Sequence, residues 1–275
     1  MATGNNEMNK TIDNSTLVFH LNQDLFTYST FNTYTNTFQT IKSYQIDSET
    51  NYEDNIENII KNDTTLKLKH TKTLGTIISE QSTFIPDLFF NKKHLHNYLH
   101  FNQTVNNNND YLYTKQQFVN CYSVFTINNK LENILDNSFN KLKLKTFDSV
   151  FVDYAVHLNT KNKTEIFTYI TKNNLFITLI KNKKFIFFNQ FHFNNNDEFL
   201  YYFINCLEVL KINALTTTIN IMSSLEKNHT IFNILKKYIK KIHFTKRPNK
   251  FLYGDTIMSK NEHLNHNLFS QIICE

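Results

Sequence analysis

The feature that most constrains this chain is an order of segments that occurs twice. Near the N-terminus, "TLVFHLN" (16–22), "LFTYSTFN" (25–32) and "TFQTIKSYQI" (37–46) are apolar-rich stretches separated by short polar tips. Three strands joined by tight turns form an antiparallel meander. Past the middle, "EIFTYIT" (165–171), "LFITLI" (175–180) and "KFIFFNQFHF" (184–193) repeat the arrangement. The second strands of the two copies open with Leu25-Phe26 and Leu175-Phe176, 150 residues apart. The repeat is one of pattern; identity between the copies is negligible.

The segments downstream of each meander are also similar. In the second copy, residues 185–193 are almost continuously apolar, as in a strand covered on both faces. The cluster Asn194, Asn195, Asn196 then supplies helix caps, and with Asn195 as cap, Glu198 holds the capping-box position. Phe199, Phe203, Cys206, Leu207 and Leu210 recur at helical spacing. A strand over 216–222, a stretch over 224–242 that is mostly helix, a strand over 243–246 and a last helix over about 261–273 complete this copy. The first copy reads helix 52–62, strand 74–79, helix 91–101, strand 118–125, helix 128–139, strand 142–146 and helix 148–158. Two meanders, each followed by alternating helices and strands, predict an α/β chain with the actin-like ATPase fold, whose two ribonuclease-H-like halves face each other across a cleft. The expected division is a disordered tail over 1–15, a first half over 16–160, and a second half with the C-terminal helix over 161–275.

Several phrases carry a more specific signal: "FIPDLFF" (84–90), "YLHFN" (98–102), "FFNQFHFNNNDEFLYYF" (187–203), "NILKKYIKKIHF" (233–244) and "LFSQIICE" (268–275). In this order they resemble an uncharacterised Bacteroidetes-type family, a domain of unknown function with an actin-like ATPase fold. The resemblance runs over nearly the whole chain from about residue 16 and implies the fold; it implies no activity.

Composition narrows the function classes. The 29 basic and 24 acidic residues leave a net charge of +5, too mild to indicate nucleic acid by itself. Lys supplies nearly all the basic residues, and Arg247 is the only arginine, a bias suited to an AT-rich genome. The odd, widely spaced cysteines Cys121, Cys206 and Cys274 read as reduced core residues. "MATGNNEMNKTIDNS" lacks the apolar core of a signal peptide, and no apolar run approaches the ~18–20 residues of a membrane helix. The expectation is a cytoplasmic protein without membrane contact.

The fold predicts where a nucleotide would sit: against the two hairpin tips between first and second strands, with adenosine beside a glycine-rich segment after the fourth strand of the second half. Phosphate is held there by closely approaching backbone, which favours glycine. The first tip reads Asn22-Gln23-Asp24, the second Lys172-Asn173-Asn174, and the adenosine position Met222-Ser223-Ser224, all without glycine. Gly4, Gly75 and Gly254 lie elsewhere. Asp24 is a candidate ligand for hydrated magnesium and Lys172 for phosphate, but both read more simply as polar hairpin tips. The sequence therefore points to a degenerate nucleotide site, no catalytic residue and no cofactor.

Other candidates are weaker. Lys236, Lys237, Lys240 and Lys241, continued by Lys246, Arg247 and Lys250, form a basic stretch that reads either as a solvated helix face or as a phosphate-contacting patch for RNA or DNA. His96 and His100 share a helix face without an accompanying carboxylate, and His263 and His266 lie near Glu262; both pairs read as solvent-facing histidines, with no metal assigned. The leading reading is a non-catalytic actin-like module that binds another macromolecule, most simply a protein. The alternatives are a nucleotide-binding ATPase with atypical loops and a basic nucleic-acid binder.

Overall fold

The computed structural model describes residues 11–79, 81–101, 108–160 and 163–275. Strands β1 (Thr11–Leu21), β2 (Leu25–Asn32) and β3 (Thr37–Gln45) form the first meander. Helix α1 (Tyr52–Asn62) leads to β4 (Lys69–Ile77), which returns parallel to β1. Next come β5 (Ser82–Pro86), helix α2 (Leu95–His100), β6 (Asn109–Lys115) and β7 (Cys121–Asn128); these strands build a separate three-stranded sheet in the order β5-β7-β6. Helix α3 (Asn129–Ser138), strand β8 (Leu142–Thr146), parallel to β4, and helix α4 (Phe147–Leu158) complete the first half.

The second meander is β9 (Thr164–Ile170), β10 (Asn174–Lys181) and β11 (Lys184–His192). Helix α5 (Asn196–Val209), β12 (Thr218–Ser223), α6 (Thr230–Tyr238) and β13 (Ile242–Phe244) continue it. The chain closes with β14 (Leu252–Tyr253), α7 (Asp255–Met258) and α8 (His266–Ile273). The two large sheets share one design: β3-β2-β1-β4-β8 in the first and β11-β10-β9-β12-β13 in the second, each with its second strand antiparallel to its first.

Local chemistry explains the turns and caps. Asn182 and Lys183 both take positive φ, 54° and 61°, which lets a two-residue turn match the twist of β10 and β11. Asn195 caps α5 by accepting from the amides of Asp197 and Glu198. The returning Glu198 carboxylate accepts the amide of Asn194, at 2.8 Å, one residue before the cap. At Gly75 the Phe19 ring occupies the space of a side chain: a Cβ there would lie 2.3 Å from its tip. Gly254 is held as closely by the Gln39 carbonyl, 2.2 Å from a Cβ position.

Each half has its own core, Phe19, Phe26 and Ile56 among the residues of one and Ile177, Phe203 and Phe232 of the other. A third core joins them. Val18 and Phe38 of the first sheet, Phe147 and Phe151 of α4, and Tyr169 and Phe176 of the second sheet pack together with Phe269 of α8. Residues 147–156 of α4 are all buried, which accounts for a helix sequence without a continuous polar face.

Three expectations need correcting. Residues 11–15, assigned to a disordered tail, belong to β1; residues 1–10 lie outside the described residues, as do Asn102 and the 161–162 boundary. The C-terminal segment does not stay with the second half. Leu252 and Tyr253 pair with β3 at the edge of the first sheet, and the Gln271 amide donates to the Phe19 carbonyl at 2.8 Å and to Thr76 at 3.0 Å. Glu275 pairs with Lys72 and Lys143, again in the first half. Finally, within 224–242, expected to be mostly helix, the helix covers Thr230–Tyr238, and the last helix starts at His266 because Asn265 takes a left-handed φ of 62°. Among the described residues no helix is long and apolar enough to cross a membrane.

Candidate functional site between the halves

The tips of the first hairpins in the two halves are built alike. In the first, the Asn22 amide donates to the Leu25 carbonyl at 3.0 Å; in the second, the Thr171 amide donates to the Asn174 carbonyl at 2.9 Å. In both, the first residue of the tip turns its side-chain oxygen onto the next free amides. Asn22 Oδ1 accepts from Asp24 N–H at 2.8 Å and Leu25 N–H at 2.7 Å. Thr171 Oγ1 accepts from Asn173 N–H at 3.3 Å and Asn174 N–H at 2.9 Å. Asn and Thr favour such turns because a short polar side chain can stand in for a carbonyl.

The end of β12 obeys the same rule. Ser223 Oγ donates to the Ile170 carbonyl at 2.6 Å and accepts the Leu225 amide at 2.9 Å. The Ser224 amide donates to the Ile170 carbonyl at 3.1 Å, and the Ser223 amide to the His263 carbonyl at 3.2 Å. These amides belong to three elements, and each is already bonded within the chain.

Beside the first tip and the end of β12 lies a cavity of about 250 Å³, lined by His20, Asn22, Tyr169, Ser224, Glu226 and Lys260 among others; none of residues 171–174 lines it. That is below the roughly 300–1,000 Å³ of sites that enclose drug-sized ligands. His20 is buried and held by Thr76 at 3.0 Å; burial pulls its imidazole down to about 3, so it is neutral at physiological pH. Tyr169 packs against Phe147 of α4 with ring centroids 4.6 Å apart, tying the floor of the cleft to the shared core.

Of the nine expected nucleotide-site positions, Asn22 and Ser224 line this cavity. Gln23 faces a different groove, with Tyr52 and Ser79. Asp24 and Lys172 are exposed at the hairpin tips, Asn173 and Asn174 are half-buried, and Met222 and Ser223 are buried. Four residues of the site were not expected from sequence. Thr171 stands ahead of two asparagines, which is a turn signal, whereas His20, Tyr169 and Lys260 come to the cleft only through tertiary structure.

The basic stretch divides. Lys236, Lys237, Lys240, Lys241, Lys246 and Lys250 are exposed, but Lys240 and Lys241 lie beyond the end of α6. Arg247 leaves the patch: it is buried, donates to the Lys260 carbonyl at 2.7 Å and lies over the Tyr253 ring. The histidine pairs also differ from each other. His96 and His100 stack with ring centroids 3.7 Å apart. His263 and His266, expected in solvent, are buried and bonded to the carbonyls of Leu225 and Thr245.

Duplicated meanders with matching first hairpins and a buried helix shared by both halves define an actin-like ATPase fold. A Bacteroides thetaiotaomicron protein with actin-like ATPase fold and unknown function aligns with a TM-score of 0.82 over 96% of this chain and 99% of that one, at 18% identity. A chain of the PilM–PilN type IV pilus biogenesis complex aligns with a TM-score of 0.60 over 90% of this chain and 93% of its own, at 6% identity. No curated protein matches the sequence. The chain belongs to the family described as protein of unknown function (DUF3822), whose model matches residues 5–242.

Proposed function

We propose that this protein is a non-catalytic actin-like module that works by binding another protein. The observation that carries the reading is the internal bonding of the hairpin amides by Asn22 and Thr171, with Ser223 doing the same at the end of β12. A triphosphate seated there would have to displace those side chains, since each amide offers one hydrogen. The small cavity beside Asn22 and Ser224 supports the same reading. A protein partner is favoured because one similar fold is found in a complex of two named proteins, PilM and PilN. A reducing compartment, the cytoplasm, suits the three buried free thiols.

The test is affinity capture of the native protein from its own cells, with and without Mg-ATP. The reading expects the same defined protein partner in both conditions. Capture that depends on ATP, or recovery of no reproducible partner, contradicts it. The exposed lysines around Lys236 and Lys240 favour a second reading, nucleic-acid binding, which expects affinity for RNA or DNA that falls steeply with salt. Charge reversal at both lysines without effect removes that reading.

A further inference from the structure

Two open strand edges meet on one flank of the molecule. β11 ends the second large sheet and β5 ends the three-stranded sheet, so among the described residues neither pairs with a strand on its outer side. Between them runs a groove of about 510 Å³, lined by residues 82–84 of β5 and 185–190 of β11. The Phe84 ring joins the two edges, packing edge-on against Phe185 and Phe188 with centroids 5.3 and 5.5 Å apart. The groove thus has an aromatic base and backbone on both sides.

Outer strands are usually blunted by proline, charge, shortness or a bulge. β11 is nine residues long, and its pairing with β10 slips once, where Ile186 stands out half exposed between Phe185 and Phe187. Beyond that slip, residues 187–192 read "FFNQFH", with neither proline, lysine, aspartate nor glutamate. Apart from the Gln190 amide, which donates to Asn189 Oδ1 at 2.9 Å, such an edge presents backbone donors and acceptors suited to an added strand.

Charge selects the kind of strand. Between Glu165 and Asp197 the chain has no acidic residue, while Lys172, Lys181, Lys183 and Lys184 are all exposed. Lys181, Lys183 and Lys184 sit together at the turn where β11 begins. The nearest carboxylate beyond β5, Asp87, is already paired with Lys115 at 3.4 Å, and Asp148 is buried under the Ser82 hydroxyl. Among the described residues, Lys181, Lys183 and Lys184 form no ion pair, so one end of the groove is basic, and its base is apolar.

We propose that this groove takes up an extended segment of a partner protein as an added strand on β11, with apolar residues over Phe84, Phe185 and Phe188 and acidic residues over Lys183 and Lys184. The proposal rests on the protein-binding reading and names its site.

The probes are two short synthetic peptides of alternating valine and serine, one with glutamates at the N-terminal end and one with glutamates at the C-terminal end, titrated by fluorescence polarisation against the full chain. One of the two is expected to bind. Methylating its alternate backbone nitrogens should weaken binding roughly tenfold or more, because each methyl removes a strand hydrogen bond. The double variant Lys183→Glu/Lys184→Glu should weaken it about fivefold; both positions are exposed, and an unchanged thermal midpoint verifies the fold. Binding of neither peptide, or binding indifferent to backbone methylation or to charge reversal, overturns the proposal. A parallel titration with Mg-ATP separates the two claims: peptide failure without nucleotide binding removes only the groove, whereas nucleotide binding removes the non-catalytic reading whatever the peptides do.

Discussion

Asp63 lies just past α1, and its buried carboxylate gathers five groups. It accepts from the hydroxyls of Tyr28 and Tyr44, from Lys42 at 2.7 Å, and from the amides of Thr65 and Leu66 at 2.8 and 2.9 Å. Burial alone would raise its pKa, but the bonds from Lys42, Tyr44, Leu66 and Tyr28 hold it well below the usual carboxylate range. Its stabilisation is complete above the ordinary value near 4 and is lost as pH falls below it. Asp63→Ala should cost about 2–3 kcal/mol in urea denaturation, since it leaves two hydroxyls and two amides unpaired; a change under about 0.5 kcal/mol, the scale of an ordinary surface substitution, would contradict the role. Buried histidines act in a higher window. His20 and His266 are pulled down to about 3 and about 4 by burial, so they stay neutral in the fold while the unfolded chain protonates near 6.5. Stability should therefore decline from pH 6.5 toward pH 4, by up to about 1.4 kcal/mol per unit for each histidine. Thermal melts at stepped pH should show a shallower decline for His20→Gln than for the parent chain; equal slopes would contradict this assignment. Neither the Asp63 cluster nor buried His20 is legible in sequence, because both depend on residues brought together from distant strands.

Among the elements, those with local signals match their expected bounds. Strands β2, β3 and β9–β11, helix α1 and strand β8 fall within a few residues of expectation because alternation, caps and short polar tips are all local. Asn195 is one such signal, and Asn195→Ala should lower stability by about 1 kcal/mol in chemical denaturation; no measurable loss would mean that α5 is held by packing of Phe199 and Phe203 alone. β5 and β6 are not legible because "STFIP" is short and ends in proline, and "NDYLYTK" starts in an asparagine-rich run. The return of β14 and α8 to the first half is also invisible in sequence: periodicity identifies a helix but not the sheet it packs on. The missing phosphate glycines are legible. The occupied amides are not, because Thr171 and Ser223 act through turn geometry.

Across the whole molecule, the shared core around Phe147, Tyr169 and Phe269 makes the halves one body. Calorimetric heating should give a single cooperative transition, and two resolved transitions would contradict that coupling. Tyr169 ties that core to the cavity, while Asn22, Thr171 and Ser223 bond the amides of Asp24, Leu25, Asn173, Asn174 and Leu225. The proposed loss of nucleotide binding rests on those bonds. Isothermal titration of the intact protein with Mg-ATP tests this most directly. The account predicts no saturable heat at micromolar to millimolar nucleotide; saturable micromolar binding, abolished by Asp24→Ala, would contradict it.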